Sequence, residues 1–160
     1  MLRWLKRVIL PIVAVLLLVR VFRPARTNPP VDPRHEIHAN LSVDPAVADV
    51  FARSCNDCHS NRTVWPWYSG VAPVSWLVVS DVKRGRKALN LSEWGMYKAG
   101  AQQKHLAEIC KEVSEGDMPV LPYKLIHLDA ELTKADVGLV CEWTRSNRQN
   151  LPTVEAEVEE

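Results

Sequence analysis

The chain reads as an all-α protein. Apolar residues recur at helical spacing in several separate stretches, among them Val47, Val50 and Phe51, and again Val137, Val140, Cys141 and Trp143. No run alternates apolar and polar residues in the manner of a half-buried strand. Helix start and stop signals bound the periodic stretches: Pro45, Pro73, Gly116 and the pair Thr133 and Asp136. At 160 residues, one modest domain plus a tail or anchor is the expectation. Hydrophobic content is ordinary for a globular chain, although six tryptophans are many for this length. Of the 20 Lys/Arg, six fall in residues 1–26, which hold no acid. The remainder carries 14 bases against 19 acids, a net of −5. A mildly acidic folded part argues against nucleic acid as a partner.

Residues 1–23 read as a targeting segment. Arg3, Lys6 and Arg7 form a positive region ahead of the apolar run Val8 to Val19, broken only by Pro11. Arg20-Val21-Phe22-Arg23-Pro24 follows where a cleaved signal would show small residues, and no cysteine is near enough for a lipoprotein signal. An uncleaved signal-anchor is therefore favoured over a cleaved signal peptide. A helix from Leu2 to Phe22 would reach about 30 Å at ~1.5 Å per residue, enough to span if Arg20 snorkels. Positive charge balances on the two sides and does not orient the segment. Residues 24–43, punctuated by Pro24, Pro29, Pro30 and Pro33, read as a linker holding the domain off the membrane.

The domain is expected over residues 44–148. Its first helix starts at Asp44-Pro45, with Ser42 or Asp44 as cap, and runs directly into Cys55. There stands Cys55-Asn56-Asp57-Cys58-His59, which is C-x-x-C-H, the attachment signature of a c-type haem. Two thiols at this spacing can each form a thioether with one vinyl group of a single haem. The adjacent imidazole of His59 then reaches the iron as proximal ligand. Half a zinc site is the bland alternative, but no second C-x-x-C or H-x-x-x-H follows. A thioredoxin-like pair would sit on a βαβ pattern, which is missing. Because c-type attachment takes place outside the bacterial cytoplasm, the domain should face the periplasm. It would be anchored in the inner membrane, or soluble in the periplasm if the signal is cleaved.

Residues 60–70 should form an ordered loop rich in turn formers and aromatics. Pro73 then opens a helix to about Lys83, with Val74, Leu77, Val78 and Val82 as its stripe. In the basic cluster Lys83 to Lys87, Arg86 is the candidate to pair with a haem propionate. The alternative is a solvated helix C-terminus favoured by the dipole. A turn with a short helical start spans residues 90–94. A longer helix runs from about Ala101 to Ser114 and is ended by Gly116. The last helix starts at Thr133, with Asp136 as capping partner, and fades near Asn147. Residues 149–160 form an acidic tail.

The stretch from Cys55 to Trp143 resembles the bacterial haem-binding-domain family of small cytochrome-c-like proteins. The match is carried by C-N-D-C-H-S-N at 55–61, W-P-W-Y-S at 65–69, A-P-V-S-W at 72–76, L-N-L-S-E-W at 89–94 and G-D-M-P at 116–119. The resemblance implies a small helical cytochrome-c-like fold around one covalent haem c. It implies no defined reaction. Met118-Pro119 resembles the distal-ligand loop of class I cytochromes c, which makes Met118 the first candidate for the sixth iron position. His127, His105 and Met96 follow in that order, and Met118 could instead pack as an ordinary apolar residue.

Trp65 and Trp67, with Trp76, Trp94 and Trp143, are expected in the core and the walls of the haem pocket. Cys110 and Cys141 lie on apolar helix faces, and the spacing leaves open whether they pair. Two function classes follow. One is an electron carrier with an unidentified redox partner protein, no substrate of its own and no catalytic residue. The other is a haem domain with an open sixth position, acting in peroxidase-type catalysis or small-ligand sensing. The His/Arg pair a peroxidase needs is not recognisable.

Overall fold

The computed structural model describes residues 2–21 and 23–152. Every regular element among them is helical, so the all-α class stands. In chain order they are α1 (Leu2–Val21), α2 (Ile37–Asn40), α3 (Pro45–Ser54), α4 (Asn56–His59), α5 (Val74–Ala88), α6 (Ala99–Glu115), α7 (Leu121–Lys124) and α8 (Lys134–Asn150). Short 3₁₀ turns stand at Trp67–Gly70, Leu91–Met96 and Leu128–Ala130. Residues 153–160, most of the expected acidic tail, lie outside the described residues.

The expected anchor is helical, but no helix among the described residues is long and apolar enough to cross a membrane. The reason is visible in its sequence. Arg3, Lys6, Arg7 and Arg20 leave only Val8 to Val19 uncharged. That is about 18 Å of helix against a hydrocarbon core of about 30 Å.

Helices α6 and α8 pack together and α3 lies against α8. The Cys110–Cys141 disulfide staples α6 to α8, resolving the pairing that spacing left open. Val47, Phe51, Leu91, Trp94, Leu106 and Trp143 form the main core. Phe51 meets Trp143 edge to face at 5.2 Å, and the Trp143 indole N–H donates to Ser42 O at 2.8 Å. Pro45 occupies the first turn of α3, although the Asp44 side chain makes no cap bond. At α8 the capping box forms in full: the Thr133 hydroxyl accepts from Asp136 N–H, and the Asp136 carboxylate accepts from Thr133 N–H. Gly116 closes α6 at φ 79°, the left-handed region that glycine enters without cost from a Cβ.

Helix α5 extends to Ala88, so the basic cluster belongs to its last turns rather than to a following loop. Its buried face is also turned from the expected stripe. Ser75, Val79 and Val82 are buried, whereas Val74 and Leu77 are exposed.

The expected linker is instead a strap laid on the domain. Ile37, on α2, is 2% exposed and belongs to the main core. His35 O accepts from Gly95 N–H at 2.9 Å, and Asn28 bridges the strap to Thr63 O and to the Trp65 indole. An extended strap held by scattered hydrogen bonds, the Glu36–Arg62 ion pair and the buried Ile37 leaves no periodic trace in the sequence. Ile37→Ala should lower the unfolding free energy by about 2–4 kcal/mol in urea titration, as for other buried Ile truncations. A detached linker would lose nothing.

Candidate functional site

Helix α3 breaks at Cys55, and α4 starts at the next residue. Cys55 O accepts from Cys58 N–H at 3.2 Å and from His59 N–H at 2.9 Å, so one turn gathers both thiols and the imidazole. Neither cysteine is in a disulfide. Burial pushes the Cys55 thiol up to about 12 and the Cys58 thiol up to about 11, with the Asp57 and Asp81 carboxylates adding to the second. A thiol-redox nucleophile needs the opposite shift. Among the described residues, no group of three or more His, Cys, Asp or Glu is placed to hold a metal ion, which leaves the zinc alternative without a ligand set.

His59 is held neutral. Burial lowers its pKa, against the opposing pull of hydrogen bonds to the Leu89 and Gly85 carbonyls. Its Nδ1 lies 3.1 Å from Leu89 O. A carbonyl can only accept, so Nδ1 carries the proton and Nε2 keeps its lone pair, the tautomer a metal-binding imidazole requires.

Two adjoining cavities, of about 350 and 400 Å³, open around this turn. His59, Met118, Pro119, Ser54 and Ala88 line both. Cys55 lines only the first, with Leu89, Leu91, Ile109, Val113 and Leu132. Cys58 lines only the second, with Gly85 and Tyr123. The two thiols thus stand at different lobes of one divided space, and His59 and Met118 belong to both.

The haem-binding domain family matches residues 14–146 of the chain. This chain belongs to that family. No curated protein and no solved structure matches it. Haem is accordingly its cofactor, and the donor set fits: a neutral imidazole with a free nitrogen, a thioether and apolar walls at one space.

The other expected residues divide. His105 lines the first cavity, with its Nδ1 3.3 Å from Glu108 and its ring against Tyr97. His127 lines neither of these cavities but a smaller one, with Asp57, Cys58 and Tyr123. Its Nε2 is 2.6 Å from the Tyr68 hydroxyl, and its ring stacks on Tyr123. Met96 is 64% exposed.

Arg86 lines neither cavity. Its Nε donates to Ser60 O at 2.7 Å, and its terminal nitrogens to Thr27 O, Asn28 Oδ1 and Thr63 Oγ1. Four of the five N–H groups of a guanidinium are engaged there. The expected propionate partner is a clasp between the strap and the loop after His59. Trp67 is 83% exposed, and Trp65 packs on the strap through Asn28; neither forms a cavity wall. The aromatic-rich loop does line a smaller cavity, of about 70 Å³, beside Asp57 and Cys58, but through Val64, Pro66 and Tyr68 rather than the two tryptophans.

Sequence reasoning missed Gly85 and Tyr123. A Cβ on Gly85 would fall 2.5 Å from Cys58 O, so only glycine lets α5 lie against the Cys55–His59 turn. Its place inside a helical pattern was the available signal. The Tyr123 hydroxyl donates to Asp57 Oδ2 at 2.8 Å, tying the segment after Met118 to the middle of the motif. Gly85→Ala should cost about 1–3 kcal/mol through overpacking and reduce haem incorporation. Thermal denaturation together with the haem absorbance per protein checks both effects, and wild-type values in both would place α5 wrongly.

Proposed function

We propose that this is a c-type haem protein that carries electrons on the periplasmic face of the inner membrane. The observation that carries the reading is that His59 and Met118 line both of two cavities, one of which is also lined by Cys55 and the other by Cys58. When bound, haem supplies iron that cycles between ferric and ferrous states. Cys55 and Cys58 would hold the haem covalently, each thiol adding its S–H across one vinyl group with no leaving group. His59 would offer Nε2 to the iron while Leu89 O fixes its ring. Met118 would offer its thioether to the iron, and a thioether favours the reduced state. With both residues holding the iron, the protein would exchange electrons with a redox partner and need no substrate. The basic and apolar N-terminal segment fits an export signal, which brings the cysteines to the compartment where attachment takes place.

Haem should remain with the polypeptide in acidified organic solvent after denaturation. Cys58→Ala should leave at most one thioether, and His59→Ala should impair maturation. Release of all haem from the wild-type chain would refute covalent attachment.

The sixth position separates a carrier from an open-site catalyst or sensor. Met118→Ala should give a high-spin spectrum, ready binding of carbon monoxide and a lower potential, whereas Met118→His should restore a low-spin site at lower potential. Met96→Ala should leave the spectrum alone. If Met118→Ala stays low-spin without added ligand, His105 becomes the residue to test, since it shares the cavity with His59 and His127 does not.

A further inference from the structure

One face of the domain joins exposed apolar and basic side chains at the point where the N-terminal segment arrives. Trp67 is 83% exposed in its 3₁₀ turn, and Val71 and Trp76 are exposed near the start of α5. One helical turn and more along, Lys83, Arg84 and Lys87 are exposed on the same helix. Trp76, Ser80, Lys83 and Lys87 fall at i, i+4, i+7 and i+11, one stripe of α5. Together with Pro24 and Arg84 they line an open cavity of about 360 Å³. Arg84 is paired with Asp81, so the two lysines bring the stripe's positive charge.

The chain enters at the apolar end of this face. Arg23 donates to Gly70 O at 2.8 Å and Arg26 to Ser69 Oγ at 3.4 Å. Two residues before Arg23, α1 ends, and its Ile9, Leu10, Ile12, Val13, Val15 and Leu17 are all exposed. An apolar helix too short to span a bilayer thus joins the domain beside exposed tryptophans and a basic stripe. The domain outside residues 1–26 is net negative, so Lys83 and Lys87, which form no ion pair among the described residues, run against its general charge.

We infer that this face is a docking surface for an anionic lipid membrane. Trp67 sits at headgroup depth, where its indole satisfies an apolar body and a polar tip together. Lys83 and Lys87 meet lipid phosphates while their alkyl stems lie along the apolar neighbours. The exposed apolar residues of α1 enter the same interface without crossing it. The domain is then seated in a fixed orientation rather than tethered at a distance. None of this rests on what occupies the two cavities, so it stands or falls separately from the electron-carrier reading.

The test is co-sedimentation of the full chain with vesicles of phosphatidylcholine alone or with phosphatidylglycerol added. The double variant Lys83→Gln, Lys87→Gln should bind the anionic vesicles roughly thirty-fold more weakly, from the usual gain per basic residue near such a surface. Its binding to neutral vesicles should be unchanged. The matched pair Lys104→Gln, Lys111→Gln on α6 removes the same charge elsewhere and should change neither. Trp67→Ser should weaken binding to both vesicle types, and inorganic phosphate at millimolar concentration should not release the protein. Equal losses from the two lysine pairs would reduce the effect to net charge and overturn the proposal. So would wild-type binding by the α5 double variant or by Trp67→Ser, or release by phosphate.

Discussion

The approach of α5 to the backbone of Cys58 is the constraint on which the site depends. It is possible only because residue 85 lacks a Cβ. Once the helix lies there, the next residues fall into place. Arg86 reaches the Ser60 carbonyl and draws in Thr27 and Asn28 of the strap. Leu89, just past the helix end, presents its carbonyl to His59 Nδ1. The Cys55–His59 turn, the strap and the imidazole orientation are thus three consequences of one close packing. A bulkier residue at 85 would move all three together.

The same packing sets the electrostatics. Removing water from the turn disfavours every charged form at once: the Cys55 and Cys58 thiols are raised and His59 is lowered. Protonated thiols keep the pair from acting as a fast disulfide exchanger, and a neutral imidazole keeps a nitrogen lone pair available. Carboxylates also line the two cavities. Glu108 and Glu112 line the first, where Glu108 meets Lys104 and His105, and Asp57 and Asp81 line the second, where Asp81 is paired with Arg84. The apolar walls of the first cavity come from Leu89, Leu91, Ile109, Val113 and Leu132.

What could be read from the sequence was local. The helical class, the α8 capping box, the glycine stop after α6 and the C-x-x-C-H turn each rest on residues within a few positions of one another. Met118 could be placed by its position before Pro119, and the structure sets it on both cavities. What could not be read depended on distance in the chain. The strap spans residues 27–37, and its partners are at 60–63, 86 and 95, so its order comes from tertiary hydrogen bonds that no period records. Arg86 illustrates the same point. Its charge suggested an anionic partner, but the carbonyls and side chains of two crossing segments saturated it first. The membrane-span reading failed for a different reason: counting the helix to Phe22 included four basic residues that shorten its apolar stretch.

The interior of the motif carries a last coupling. Asp57 sits between the two cysteines, and its carboxylate takes two donors from opposite directions. Val64 N–H donates to Oδ1 at 2.9 Å and the Tyr123 hydroxyl to Oδ2 at 2.8 Å. The first fixes the loop that follows His59. The second fixes the segment that follows Met118, because Tyr123 is also stacked on His127, which is in turn bonded to Tyr68. Bonds within a half-buried setting are screened less than in open water. The residue between the thiols thereby ties the turn that bears His59 to the segment bearing Met118. Separation of the two sides would have to break the Asp57–Tyr123 bond first.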